Sequence, residues 1–493
     1  MHFTSLTFIL FLTVVFGLYW SLRASRHQNL IIVLASYTFY GWWDYRFCTL
    51  ILISSLIDFL IGRKIGQTEN KASRKLLLTI SLTCNLGLLA LFKYYGFFAE
   101  NFLAFAQSFG WTPNDLTLNL VLPVGISFYT FQTLSYTIDV YRGQLKPSTS
   151  VIDYLAFVSF FPQLVAGPIE RGTNLLPQFQ KQRSFNVEDA TDGCRLILWG
   201  FFKKLAIADI LAVPVDAAYD HWDEASGAQL GLATVFFAFQ IYCDFSAYSD
   251  IAIGTARLFS IKLMRNFAYP YFSQSLSEFW GRWHISLSTW FRDYVYIPLG
   301  GNRNGSIAMH RNIILTFLLS GLWHGAAWTF VVWGTFHGVV LAAEKIFRRD
   351  SKPVPIDFAD QPALLVPLSV TLKMMLTFGC VCLGWVFFRA PSIDSAFVIV
   401  EKIVASIWAP DQWLALAQFL DDEKSVKIAF IMMLIFVGIE WVQRKHPCPL
   451  TGYPKKSITW GWPLRWVAYT AMILVALELM AAVETRAFIY FAF

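Results

Sequence analysis

The chain has 493 residues, of which 56% are hydrophobic, 17% aromatic and 15% charged, against roughly 25% charged in soluble domains. A soluble core could not hide this much apolar surface, so lipid is the solvent for most of the chain. The net charge of +6 is spread over short loops and reads as membrane topology, not as nucleic-acid binding.

The seven cysteines (48, 84, 194, 243, 380, 382 and 448) lie mostly in apolar runs. They form neither a disulfide framework nor a paired zinc spacing, and they read as core residues. The N-terminus lacks a basic n-region and a small-residue cleavage site, so Leu6–Leu22 is expected to be a retained first helix. Further spanning runs lie near 29–43, 47–62, 76–92, 120–141, 151–167, 194–214, 230–256, 312–332, 333–347, 366–388, 427–443 and 465–483. The segment 94–110 stays unassigned. Several runs are too short or too polar to cross alone, as expected where helices break or re-enter around a water-lined cavity. The loop from Arg63 to Lys75 carries five basic residues and one acid, which places it in the cytoplasm and the N-terminus outside. The acid-rich stretches 216–224 and 409–424 are assigned outside, and the basic stretches 345–352 and 444–456 inside. No internal repeat is visible. Polar motifs concentrate between about residues 160 and 340.

The stretch Phe160–Arg171 contains Pro162, Gly167 and Pro168 where a helix would otherwise continue, so a break is expected there, with Glu170 and Arg171 at a cavity mouth. In 242–250, Asp244 and Asp250 interrupt an apolar run. Carboxylates at that depth need partners inside the bundle, and Lys203, Lys204 and Arg257 are the candidates. Residues 278–294, taken as one helix, put Trp280, Trp283, His284, Leu287 and Phe291 on one face. Arg282, Ser286, Thr289 and Asp293 form the opposite face, with Glu278 and Arg282 as an i,i+4 pair. Such a helix suits an interface or a cavity wall. His284 on the tryptophan face is either a satisfied core histidine or a functional one. The glycine-rich loop 297–305, with Asn302, Arg303 and nearby Arg311, is either a cytoplasmic turn or a phosphate-receiving loop.

His324 lies in the apolar run Leu319–Trp328. A neutral imidazole tolerates such a site better than a charged group does, and its ordinary pKa near 6.5 suits it to proton abstraction. By spacing alone, core packing and catalysis both remain open. His337, 13 residues on, falls about 220° around an ideal helix and reads as structural. Gly384–Arg389 reads as an aromatic membrane-edge anchor closed by a snorkelling arginine. There is no HExxH, no GxSxG and no histidine metal cluster in the sequence.

Taken together and in order, these motifs resemble the membrane-bound O-acyltransferase family. They are Pro162–Ile169, Asp244–Asp250, Trp283–Trp290, Ile297–Arg303 and Leu322–Gly325. Within that family the chain is most similar to the bacterial branch that O-acetylates alginate and other exopolysaccharides, a likeness that extends to the chain end Phe488–Phe493. The motifs cover about 120–390. The resemblance implies an all-α polytopic membrane protein with a single domain over 1–493. A ring of transmembrane helices would surround shorter tilted or re-entrant ones, forming a central funnel or tunnel. His324 matches the family's catalytic histidine and His284 the second histidine of this branch, assisting as a hydrogen-bond donor or orienter. Trp280, Trp283, Trp323, Asp244, Asp250, Asn302 and Arg303 are the expected lining residues. Gly281 stands where relatives often carry a basic residue.

The implied activity is O-acetyl transfer from a cytosolic thioester, acetyl-CoA or another, across the bacterial inner membrane to an exopolysaccharide such as alginate. A periplasmic esterase-like partner would complete the transfer, and no metal or bound cofactor is expected. D-alanyl transfer to teichoic acid in the same fold, or transport of a polysaccharide or lipid-linked sugar, are the alternatives.

Overall fold

The computed structural model describes residues 1–111, 118, 120–347, 366–444, 450, 462–482 and 486–489. Among these the regular structure is helical throughout. Five helical stretches are long and apolar enough to cross a bilayer: Lys71–Ser108, Gly227–Leu258, Trp328–Phe347, Leu368–Arg389 and Lys424–Gln443. Shorter apolar helices occupy Leu6–Ser21 and Trp466–Ala481. The chain divides into two compact units, residues 1–193 with 252–264, and residues 194–251 with 265–493. Most of the basic stretches 345–352 and 444–456, and the last four residues of the chain-end motif, lie outside the described residues.

The first unit contains α1 (Leu6–Ser21), α2 (Ser25–Gly41), α3 (Phe47–Gln67), α4 (Lys71–Leu89), α5 (Tyr95–Ser108), α6 (Ile126–Tyr141), α7 (Val151–Ser159), α8 (Phe161–Leu164) and α9 (Gly172–Gln180). α4 continues into α5 through a π-helical turn at Ala90–Tyr94, so the unassigned 94–110 is the second half of one long helix. The proline-rich stretch breaks the chain as expected: α7 stops at Ser159 and α8 lasts one turn. Polar groups here find partners within the protein, as they must away from water. Asp58 accepts from Ser81 at 2.5 Å and Asn85 at 2.8 Å. Glu170 is fully buried and accepts from Asn174 at 2.7 Å and from the Met264 backbone N–H. Arg257 reaches Asp192 at 3.9 Å, so it is not the partner of Asp244 or Asp250.

The second unit takes over within α10 (Val187–Phe202). It holds α11 (Asp209–Asp220), α12 (Gly227–Leu258) as far as residue 251, α13 (Leu276–Arg282), α14 (Ile285–Phe291), α15 (Gly305–His324), α16 (Trp328–Phe347), α17 (Leu368–Arg389), α18 (Ile393–Ser406), α19 (Pro410–Asp422), α20 (Lys424–Gln443) and α21 (Trp462–Ala482). The acid-rich 409–424 is therefore mostly helix. α12 has 32 residues, about 48 Å at 1.5 Å each, well over the roughly 30 Å of hydrocarbon. Tyr242 to Ser249 on it are all buried, so protein and not lipid surrounds its centre. A π-helical turn at Lys203–Ala208 joins α10 to α11. Such turns insert an extra residue and often mark functional sites.

Two expectations change here. Residues 278–294 are not one helix. The chain breaks at Trp283–His284, where His284 adopts the left-handed conformation with φ 44° and ψ 53°. The continuous face that linked Trp280, Trp283, His284, Leu287 and Phe291 is therefore split between α13 and α14. The Glu278–Arg282 pair survives, at 2.6 Å, because it lies within α13. The second change concerns the run 312–347. Its break falls directly after His324, not near residue 332. α15 and α16 form a tight hairpin there, because Gly321 and Gly334 let the backbones meet. A Cβ on Gly321 would lie 2.2 Å from the Phe330 carbonyl oxygen, and one on Gly334 2.3 Å from that of Phe317.

Candidate active site

The hairpin sets His324 at the last position of α15, buried at 3% exposure. Rings surround it. Trp333 of α16 lies 5.0 Å away, Trp323 5.1 Å and Phe388 of α17 5.7 Å, all edge-on. His284, at the start of α14, faces it with ring centroids 6.3 Å apart. The two histidines, 40 residues apart in sequence, thus share one aromatic chamber. Trp323 touches both, at 6.1 Å from His284, and Phe245 of α12 meets His284 edge-on at 4.7 Å. His284 lies outside the spanning helices. Burial alone pushes its imidazole down to about 3 from the ordinary value, because a desolvated imidazolium is costly.

His284 owes its position to a loop that carries no periodic signal. Residues 266–268 run beside 282–285: Ile285 N–H donates to the Asn266 carbonyl at 2.9 Å, and Ala268 N–H to the Arg282 carbonyl at 2.9 Å. The Asn266 side chain is fully buried. Its Oδ1 lies 3.1 Å from His284 Nδ1, and it accepts from Ser286 Oγ at 2.9 Å and from the Ser286 backbone N–H at 3.3 Å. Its Nδ2 donates to Ser249 Oγ at 3.1 Å. These bonds hold a non-glycine residue at positive φ, which costs of order 1–3 kcal/mol and persists only where the surroundings over-determine it.

The other expected lining residues fall at different places. Trp280 packs against Trp333 at 5.8 Å and His337 at 5.1 Å. Trp283 packs against Phe267 and Trp385, each at 5.1 Å. Asp244 pairs with Lys204 at 2.8 Å, and Lys204 also holds Asp209 at 2.8 Å. Asp250 pairs with Lys203 at 2.7 Å. A cavity of about 250 Å³ opens beside Asp244, lined also by Lys204, Asp209, Gln240 and Phe488. Phe488 packs on Phe245 at 5.7 Å, and Phe245 is the ring that meets His284. Asn302 and Arg303 are exposed turn residues before α15. Their turn is held by buried Asn312, whose amide donates to the carbonyls of Leu299 at 3.1 Å and Gly301 at 3.0 Å. A Cβ added at Gly281 would meet nothing within 4 Å.

Sequence reasoning missed two features. Asn266 lies in no motif, and Ser249, inside the motif Asp244–Asp250, was given no role of its own. The stretch Gly384–Arg389 is not a membrane-edge anchor: Trp385 is 1% exposed, Phe388 packs on His324, and Arg389 pairs with Asp216 at 3.0 Å. His337 joins the same cluster, 5.1 Å from Trp333, with Gly384 making room for its ring.

Two facing imidazoles buried in a shell of aromatic rings can handle a proton while excluding water, which acyl transfer from a thioester needs. Among the described residues no group of three or more histidine, cysteine, aspartate or glutamate side chains could hold a metal ion. Residues 144–387 match the membrane-bound O-acyltransferase family. The chain is 39% identical over 458 residues to a probable alginate O-acetylase, AlgI, of Azotobacter vinelandii, covering 92% of this chain and 88% of that protein. It is 36% identical over 431 residues to a peptidoglycan O-acetyltransferase of Helicobacter pylori, covering 81% and 79%. A teichoic acid D-alanyltransferase of Streptococcus thermophilus is 30% identical over 290 residues, covering 55% and 69%.

Proposed function

The chain belongs to the membrane-bound O-acyltransferase family, and on that premise we propose that it carries an acetyl group from a cytosolic thioester across the bacterial inner membrane for O-acetylation of an exopolysaccharide. It is a multi-pass membrane acyltransferase, so the transporter alternative falls away. The donor is acetyl-CoA, used as a co-substrate, and the acceptor is an alginate-like polysaccharide reached through a periplasmic esterase-like partner. His324 is the general base. It takes the acceptor hydroxyl proton as the oxygen attacks the thioester carbon. The new C–O bond forms, the C–S bond breaks, and the thiolate leaves to take up a proton. His284 assists across the chamber.

One observation supports these roles above all: the 6.3 Å approach of the His284 and His324 rings inside a shell of tryptophan and phenylalanine. The acetyl reading draws on relatives named as O-acetylases that align over most of the chain. The D-alanyl relative aligns over 55% of it. Incubating the purified protein with labelled acetyl-CoA, with and without the periplasmic partner, tests the proposal. Acetyl transfer that is lost in His324→Ala, with insertion intact, is the expected result. Full transfer by that variant would sink the assignment. D-alanyl turnover without acetyl turnover would move the substrate to the other branch.

A further inference from the structure

The backbone fixes which way the Asn266 amide points. The Ser286 N–H can only donate, and it lies 3.3 Å from Asn266 Oδ1. A flipped amide would set its NH2 against that N–H, donor against donor. On the other side Nδ2 donates to Ser249 Oγ, which the unflipped amide satisfies. The atom 3.1 Å from His284 Nδ1 is therefore an oxygen with lone pairs only. A bare Nδ1 would face it lone pair to lone pair. The Ser286 hydroxyl agrees: its proton goes to Asn266 Oδ1 at 2.9 Å, leaving its oxygen free to accept from Nδ1 at 3.4 Å. Only a protonated Nδ1 satisfies the whole group.

From this geometry we infer that Asn266 is a positioning residue for the site. It locks His284 in the Nδ1–H tautomer and so makes Nε2 the ring's single acceptor. His284 as a neutral ring then accepts a hydrogen bond and donates none into the chamber, which replaces the donor role expected from the sequence. Its burial keeps it neutral. The inference rests on the proposed acyl-transfer role of His284 only for its catalytic meaning, because the tautomer itself is a property of the resting protein.

Three side chains make the clamp rigid. Asn266, Ser286 and Ser249 are buried at 0%, 0% and 1% exposure, on a loop, on α14 and on α12. The same Asn266 backbone carbonyl binds Ile285 N–H at 2.9 Å, so one residue holds both the ring and the positive-φ backbone of His284. Removing the hydrogen-bond partner that orients a metal-ligating histidine typically costs about 10–100-fold in activity, and a loss of the same order is expected here.

The test is solid-state NMR of full-length protein labelled with 13C,15N-histidine in lipid bilayers, with His284→Gln used to assign the His284 signals. The expected spectrum has a protonated Nδ1 and a bare Nε2 at neutral pH. An Nε2–H tautomer would overturn the inference. This readout needs no acyl donor, so failure of the acetyl-transfer proposal leaves it standing, and its own failure leaves that proposal standing. Asn266→Asp keeps an acceptor at Oδ1 and adds charge. It should retain the Nδ1–H tautomer and move the acid limb of the pH–rate profile upward. Asn266→Leu should lower turnover about 10–100-fold with little change in KM for the thioester. Wild-type turnover in a folded Asn266→Leu variant counts against the inference.

Discussion

Lys203 Nζ lies 2.7 Å from Asp250 Oδ2, with 3% of the lysine side chain and 20% of the aspartate exposed. The next residue, Lys204, makes the equivalent bond to Asp244 at 2.8 Å. Two consecutive lysines on a regular helix would diverge by about 100°. Here they sit at the start of the π-helical turn 203–208, and both reach carboxylates of α12. Lys203 also donates to Ser246 at 2.7 Å. Removing one member of a buried pair costs roughly 3–5 kcal/mol because the other charge is stranded, whereas removing both is often nearly neutral. Lys203→Met should therefore reduce folded protein in the membrane sharply. Lys203→Met with Asp250→Asn should recover most of it, as measured by thermal unfolding in detergent. Equal loss in the single and double variants would mean that the pair is not what holds α10–α12 together.

The close approach of α15 and α16 gives a second prediction. A methyl group on Gly334 would stand 2.3 Å from the Phe317 carbonyl oxygen and 2.9 Å from Gly321 Cα, and backbone cannot step aside as a side chain can. Gly334→Ala should cost about 1–3 kcal/mol or more and abolish acyl transfer by moving His324. Gly379→Ala on α17 is the control, since nothing lies within 4 Å of the added carbon. It should be neutral in stability and in activity. The comparison is read from unfolding temperature and from turnover of the two variants side by side.

Much of this site was legible in the sequence, for identifiable reasons. Intramembrane charge is so costly that Asp244 and Asp250 announced the need for lysine partners, and Lys203 and Lys204 proved to be those partners. Pro162 and Pro168 announced a break because proline cannot continue a helix. His324 stood out as the one ionisable group in its apolar run. What stayed hidden depends on tertiary contacts. The break at His284 has no proline or glycine to mark it. It follows from the Asn266 clamp, which local spacing cannot reveal. Trp385 and Phe388 looked like an aromatic belt because their composition is the same whether rings face lipid or pack on a histidine.

The start of α13 carries a third prediction. Glu344 of α16 accepts from the backbone N–H groups of Leu276 at 2.8 Å and Ser277 at 3.3 Å, and Ser275 caps Glu278 N–H at 3.1 Å. A carboxylate here meets both unsatisfied donors and the positive end of the helix. Because α13 ends at Trp283 and His284, its first turn fixes the second histidine at a distance. Glu344→Gln keeps an acceptor and should cost about 0.3–1 kcal/mol. Glu344→Ala should cost about 1–2 kcal/mol and lower turnover more than it raises KM for the thioester. Unchanged turnover in the alanine variant would detach α13 from the chemistry.

The fourth prediction concerns pH and lies in the first unit. Burial pushes the Glu170 carboxyl up to about 7, although the bonds from Asn174 and Met264 N–H favour its charged form. The folded pKa is above the ordinary carboxylate value, so the sign is set. Below about pH 4.5 both states hold the proton and the full stability is present. As pH rises towards 7 the unfolded chain ionises first, and stability falls by up to a few kcal/mol, on the order expected for a shift of this size. Glu170→Gln removes the titration while its oxygen still accepts from Met264 N–H, and the Asn174 amide can turn to accept from the new NH2. Unfolding temperature measured from pH 5 to 8 should therefore fall across this range in the wild type and flatten in Glu170→Gln. The variant should be as stable as the wild type, or more so, above pH 7. An equally steep fall in both proteins would assign the pH dependence to another group.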